Sequence, residues 1–250
     1  MGVAIRTAGA GDREVVVRLL DAAFQDDPVS GWVFPDPAHR RATHHRLMAA
    51  FADISFAEGW VDVTEDASAC ALWLHVPAAG GADPNGDVED TTDGGTDDVA
   101  GARATGGGEP AGRRDGDDGG PDTDTETEAG DGDGPARLRA AVDPDNERVE
   151  LIGRLTADVH PSGRAHAYLW MIAVAPERQG GGLGSALVTS VLDRCDREGL
   201  AAYLEASNAR SRALYERLGF ALTGGPLDLP DGPRMWPMWR EPRTTRRGNG

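Results

Sequence analysis

A long stretch of this chain has nothing with which to build a core. Between Trp73 and Tyr168 there is no Phe, Tyr or Trp, and residues 80–148 hold 20 acids, six arginines and 16 of the 34 glycines. Ordering a backbone costs about 1–2 kcal/mol per residue, which so little apolar surface cannot offset. Residues 80–136 are therefore expected to form a disordered acidic insertion inside a single domain, 1–241. The core must then be assembled from the two flanking pieces, and residues 242–250 read as a disordered tail. The same stretch carries −14 of the formal charge of −17, leaving −3 for everything else. A nearly neutral folded part offers no basic stripe for nucleic acid.

Every basic residue is an arginine; the chain has no lysine. That removes a lysine-dependent phosphate loop and a Schiff-base nucleophile. Cys70 and Cys195 are far apart in sequence, in apolar segments, and no secretory signal precedes them. This points to a reducing, cytoplasmic setting. No run approaches the ~20 apolar residues of a membrane span, so no membrane partner is expected. His44 and His45 lack companion ligands at metal spacing, and no metal is expected.

The flanks read as alternating strands and helices. Val3–Thr7 is a first strand, and Asp12 the expected N-cap of a helix carrying Val16, Leu19, Leu20, Ala23 and Phe24. Gln25-Asp26-Asp27-Pro28 ends it, and Trp32, Phe34, Pro35 and Pro37 mark an aromatic loop. A helix with Leu47, Met48, Phe51 and Ile54 leads to a hairpin, Trp60–Thr64 and Ala69–Val76. Beyond the insertion, structure resumes near Arg137. A helix follows through Val149, Ile152, Leu155 and Val159, and then a strand, Tyr168–Val174. Next come a helix through Leu183, Leu187, Val191 and Cys195, a strand Ala201–Ala206, a helix Asn208–Leu218, and strands Phe220–Thr223 and Arg234–Trp239. This order predicts an α/β (α+β) fold, a mixed sheet with helices packed on it.

The run Ile172-Ala173-Val174 to Gln179-Gly180-Gly181-Gly182-Leu183-Gly184-Ser185 joins a buried strand to a helix through a glycine turn. Such a turn aims unpaired backbone N–H groups and a positive helix end at one point, which suits a phosphate. By itself the run leaves three readings open: a dinucleotide fingerprint, a tight structural turn, or a pyrophosphate arm for coenzyme A. The fingerprint wants a third glycine where Ser185 stands, and an earlier strand–helix unit.

Gln179-x-x-Gly182-x-Gly184, followed about 20 residues later by Tyr203-Leu204-Glu205-Ala206-Ser207-Asn208 and Ala213-Leu214-Tyr215-Glu216-Arg217-Leu218-Gly219-Phe220, resembles the paired motifs of the Gcn5-related N-acetyltransferase (GNAT) superfamily. Ala22-Ala23-Phe24 with Asp27-Pro28, Ala71-Leu72-Trp73, Tyr168-Leu169-Trp170 and Gly232-Pro233-Arg234-Met235-Trp236 are similar to the puromycin N-acetyltransferase branch. The likeness covers nearly the whole chain apart from the insertion.

The resemblance implies a GNAT fold, a mostly antiparallel central sheet of about six or seven strands, splayed in the middle. It implies acetyl-CoA as co-substrate, its pyrophosphate held by Gln179–Ser185 and its pantetheine arm by the backbone of Ile172, Ala173 and Val174, with Asn208 nearby. The gap between the strands at Trp170–Val174 and Ala202–Ala206 would admit that arm, and a backbone N–H near Ile172 would polarise the thioester carbonyl. Tyr215 is the expected general acid toward the leaving thiol. Glu205, a carboxylate in an otherwise apolar strand, is the expected base, with His160 second. Asp27, Trp32 and Phe34 fall where the superfamily commonly borders the acceptor. The acceptor is expected to be a small-molecule amine, the alternatives being a protein N-terminus or lysine, or a non-catalytic acyl-CoA-binding module. A monomer or homodimer is expected.

Overall fold

The computed structural model describes residues 3–78 and 134–243. Most of the expected insertion lies outside these residues, except 134–136, which are ordered as the start of a helix. Eight strand segments form the sheet: β1 (Ile5–Thr7), β2 (Gly59–Thr64), β3 (Ala69–Val76), β4 (His166–Val174), β5 (Ala201–Ala206), β6 (Ala221–Leu222), β7 (Leu227–Asp228) and β8 (Arg234–Arg240). Their order is β1-β2-β3-β4-β5-β8-β6, with β7 pairing β8. All pairs are antiparallel except β4–β5.

That parallel pair is short. His166, Ala167 and Tyr168 oppose Ala201, Ala202 and Tyr203, and the pairing stops there. From Leu169 onward β4 stays on β3, while β5 stays on β8 as far as Ala206. A wedge therefore opens between the two strands, as the sequence motifs imply. The break coincides with a bulge: Leu72 faces Met171 and Trp73 faces Leu169, so Trp170 is the extra residue on β4. A bulge bends its strand and increases the local twist, which turns β4 away from β5 at this point.

Among the described residues seven α-helices cover the sheet: α1 (Arg13–Phe24), α2 (Pro28–Val33), α3 (Pro37–Glu58), α4 (Gly134–Val142), α5 (Glu147–Val159), α6 (Leu183–Glu198) and α7 (Ala209–Arg217). Strand alternation divides the core into two. On one face Val61, Val63, Cys70, Leu72 and Ala173 meet Val16 and Leu20 of α1, Leu47 and Met48 of α3, and Val149 of α5. On the other, Ala69, Ala71, Trp73, Leu169 and Leu204 meet Leu187, Val188, Val191 and Cys195 of α6 and Tyr215 of α7. Both cysteines are buried and unpaired.

Three local expectations fail for identifiable reasons. Asp12 does not cap α1; its carboxylate accepts the Gly9 N–H at 2.8 Å and pairs with Arg6 at 2.7 Å. The aromatic loop contains the helix α2, started by Asp27 accepting from Val29 N at 2.9 Å with Pro28 in its first turn. Those are strong helix-start signals. The same device, Asp36-Pro37, starts α3. Structure after the insertion resumes at Gly134 instead of Arg137, because α4 uses Pro135 in its first turn and packs on α5 and α3.

Candidate active site

The wedge between β4 and β5 opens into a cavity of about 840 Å³. One arm is bounded by Phe24, Asp26 and Asp27 after α1, by Phe51 of α3, and by Ile152 and Thr156 of α5. The other reaches Gln179, Gly180, Gly182 and Ser185 at the start of α6, and Asn208, Arg210 and Tyr215 of the β5–α7 segment. Trp170 and Glu205 line it between the two arms. Phe51 and Trp170 pack at a tilt with 4.7 Å between ring centroids, and the bulged residue forms part of the cavity wall.

The glycine turn has the expected geometry. Gly180 and Gly182 have φ of 81° and 86°, and Gly182 is the N-cap of the 16-residue α6. A Cβ at either would meet no atom within 4 Å. The requirement for glycine is therefore the left-handed backbone and whatever approaches from the open side. A Cβ on Gly184, by contrast, would touch Val174 and Ile172 at 3.6 and 3.7 Å, close to the strand beneath. Gln179 donates to the Val174 carbonyl at 3.3 Å and so braces the turn against β4. Beyond Tyr168, the β5-facing edge of β4 through Ile172, Ala173 and Val174 has no strand partner on that side among the described residues. Ile172 and Val174 line the cavity, whereas Ala173, at 1% exposure, turns its side chain into the core under α1 and α3 and does not line it.

Glu205 lies inward, not toward solvent. Its neighbours Leu204 and Ala206 face α6 and α7, so alternation sends Glu205 and Tyr203 to the opposite side of the sheet. There Tyr168 donates its hydroxyl to Glu205 Oε2 at 2.7 Å. Among the described residues Glu205 Oε1 is buried without a hydrogen-bond partner, and the imidazole Nδ1 of His160 lies 3.9 Å away. Burial pushes the Glu205 pKa up to about 7, an effect only partly offset by the hydroxyls of Tyr168 and Tyr203. A carboxyl tuned near neutrality can take up and release a proton at working pH.

Tyr215 lies on the other wall at 5% exposure, edge-on to Phe220. Among the described residues its hydroxyl makes no hydrogen bond. Burial, with Asp27 nearby, raises its pKa, so the phenol stays protonated. It is a proton donor by default.

Asp27 lines the cavity, but its carboxylate is committed within the protein. Oδ1 caps α2, while Oδ2 accepts from Ser207 at 2.8 Å and from Asn208 Nδ2 at 3.2 Å. Asn208 in turn caps α7 through Ser211. The two residues thus lock the α1–α2 turn to the β5–α7 turn and shape the site from behind. Asp26 reaches the cavity from an exposed position.

Trp32 and Phe34 are corrections. Both lie in the hydrophobic core at 5% and 0% exposure, and neither lines the cavity. Trp32 donates its indole N–H to the Pro230 carbonyl at 2.7 Å, and its ring presses on Gly232, where a Cβ would sit 2.3 Å away. Arg148 covers its other side at 5.0 Å. Sequence reading did not single out Tyr168, His166, Thr156 or Phe51 as site residues. Tyr168 had a signal, because it pairs with Tyr203 across β4–β5 and so shares a face with Glu205. Phe51 and Thr156 arrive only through the packing of α3 and α5, and His166 through the loop that joins α5 to β4.

The architecture is the GNAT fold. Residues 115–220 match the model of the acetyltransferase (GNAT) family. A solved structure of "histone acetyltransferase HPA2 and related acetyltransferase" from Corynebacterium glutamicum superposes with a TM-score of 0.60 at 23% identity, covering 98% of this chain and 99% of that one. A mosquito arylalkylamine N-acetyltransferase-like protein gives 0.55 at 13% identity, covering 96% of this chain and 100% of that one. At those identities the likeness is one of fold. A mycothiol acetyltransferase of Kocuria rhizophila is 39% identical over 89 residues, 33% of this chain and 29% of that protein. An uncharacterized N-acetyltransferase of Schizosaccharomyces pombe is 36% identical over 76 residues, 30% of this chain and 31% of that protein. The chain thus spans less than a third of the length of these curated relatives. Among the described residues no helix is long and apolar enough to cross a membrane, and no three His, Cys, Asp or Glu gather as metal ligands.

Proposed function

We propose that this chain is an acetyl-CoA-dependent N-acetyltransferase acting on the primary amine of a small molecule. The observation that carries the reading is one cavity holding a glycine turn at a helix N-terminus, a strand edge freed by the wedge, and a buried carboxyl and phenol on its walls. These residues fit the co-substrate. The amides at Gly180–Ser185 would hold the pyrophosphate, and the freed edge at Ile172–Val174 would hold the pantetheine arm. Bound there, acetyl-CoA would supply the activated acetyl group.

The remaining work belongs to the protein. The arm bounded by Phe24, Phe51 and Ile152 beside Trp170 is largely apolar, with Asp26 and Asp27 next to it, and suits a compact amine with a hydrophobic body. Its ammonium must lose a proton before it can attack. Glu205, near neutrality, accepts that proton directly or through water. Tyr215, protonated throughout, donates to the departing sulfur. Asp27 and Asn208 keep the two walls in register.

The test is CoA thiol release from acetyl-CoA in the presence of puromycin, a simple arylalkylamine and a lysine-containing peptide. Puromycin is tried first because of the resemblance proposed for segments such as Tyr168-Leu169-Trp170 and Gly232-Pro233-Arg234-Met235-Trp236. Release with a small amine supports the reading. Release with the peptide alone would overturn the small-molecule acceptor while keeping the reaction.

A further inference from the structure

Next to Glu205, outside the residues that line the cavity, two histidines take complementary hydrogen-bond roles. His166, at the start of β4, is fully buried, and its Nδ1 lies 2.8 Å from the Arg164 carbonyl. A carbonyl only accepts, so Nδ1 carries the hydrogen and the neutral ring presents Nε2 as an acceptor. His160 Nε2 lies 3.1 Å from that acceptor and must therefore be the donor. This leaves a lone pair on His160 Nδ1, which faces Glu205 Oε1 at 3.9 Å. Oε1 is the carboxylate oxygen with no hydrogen-bond partner, in a side chain only 4% exposed. The His160 side chain is 20% exposed. It places a partly exposed ring beside the buried carboxyl.

We propose that His160 is the proton exit of the site: it takes from Glu205 the proton that Glu205 removes from the acceptor amine. The inference rests on the reading of Glu205 as the base. The balance is simple. The ammonium loses H⁺ to Glu205 Oε1, Oε1–H passes it to His160 Nδ1 once a small turn of the ring closes their 3.9 Å separation to hydrogen-bond distance, and the imidazolium releases it to water, restoring both groups. His166 is a positioning residue, because its bond to the Arg164 carbonyl dictates which nitrogen of His160 is free. Burial and the neighbouring His166 hold His160 down at about 4, so it carries the proton only in passage and does not trap it. The groups that face this pair are Tyr168 and His166 on β4, Tyr203 and Glu205 on β5, His75 on β3 and Arg164 in the loop. The Arg164 charge is shared with Glu241 at 2.6 Å.

Ring-nitrogen NMR of the free protein tests this without any substrate. At pH 8, His166 is expected as the Nδ1–H form and His160 as the Nε2–H form. The His160 Nδ1 signal should shift as pH falls through about 7, the range of Glu205, and that shift should vanish in Glu205→Met. His160 found as the Nδ1–H form, or an Nδ1 signal that ignores the Glu205 titration, would overturn the proposal. With an amine that turns over, His160→Leu should lower kcat about tenfold, leave the KM for acetyl-CoA unchanged, and regain activity when imidazole is added. An unaltered kcat would also overturn it. Silence of the wild type toward every small amine, with the tautomers as expected, would instead count against the small-amine acceptor.

Discussion

Replacing Glu205 by Gln should stabilise the protein at alkaline pH while impairing it as a catalyst. The carboxyl is buried, and its native pKa is about 7 against an ordinary 4.5. The folded state therefore binds the proton more tightly than the unfolded state does. Stability falls as pH rises from about 4.5 to about 7 and levels off above, where ionised Glu205 costs about 3 kcal/mol. At pH 5 less than about 1 kcal/mol of that cost is present. Gln has the same shape, can still accept from Tyr168, and never ionises. The stability difference between Glu205→Gln and wild type should therefore grow by about 2 kcal/mol between pH 5 and pH 8, whatever its offset at pH 5. In a domain of this size that is roughly 4–8 °C in Tm. Thermal or urea unfolding of both proteins at the two pH values measures it. A difference that stays constant with pH, or that shrinks toward pH 8, would show that Glu205 is not a buried, neutral-tuned carboxyl.

Other substitutions separate binding, chemistry and scaffold. Tyr215→Phe should lower turnover by about a hundredfold, the scale of a lost general acid, with acetyl-CoA binding by calorimetry intact; unchanged turnover removes Tyr215 from the chemistry. Gly182→Val should abolish acetyl-CoA binding and cost about 1–2 kcal/mol in unfolding, since φ there is 86° and its Cβ points into open space. Normal binding by that variant would refute the placement of the pyrophosphate. Asp27→Ala removes the α2 cap and the bonds to Ser207 and Asn208. It should cost about 1–2 kcal/mol in urea unfolding, and a neutral result would deny the locking role.

The C-terminal half was legible because its signals are local. A strand, a glycine turn needing positive φ, and a helix start lie within one short run, and the wedge follows from a parallel pair that ends at Tyr168 and Tyr203. Glu205 was legible for the opposite reason: a carboxylate among Ala, Tyr and Leu in a strand has to be explained. Trp32 and Phe34 were misread because aromatic residues beside prolines suggest a loop. Asp27-Pro28 and Asp36-Pro37 are in fact helix starts, and they carry both rings into the core. The His160–His166 pair was not legible as a unit. The two residues come from a helix end and a strand start joined by a loop, and only the turn between α5 and β4 sets their nitrogens 3.1 Å apart.

The most direct test of the proposed reaction is mass-spectrometric detection of the acetylated amine after incubating the protein with acetyl-CoA and a mixture of small primary amines. The Tyr215→Phe and Glu205→Gln variants are run alongside. The account predicts an N-acetyl product on at least one small amine, with both variants slowed and both still binding acetyl-CoA. Bound acetyl-CoA with no acetylated small amine, or wild-type rates in both variants, would contradict it.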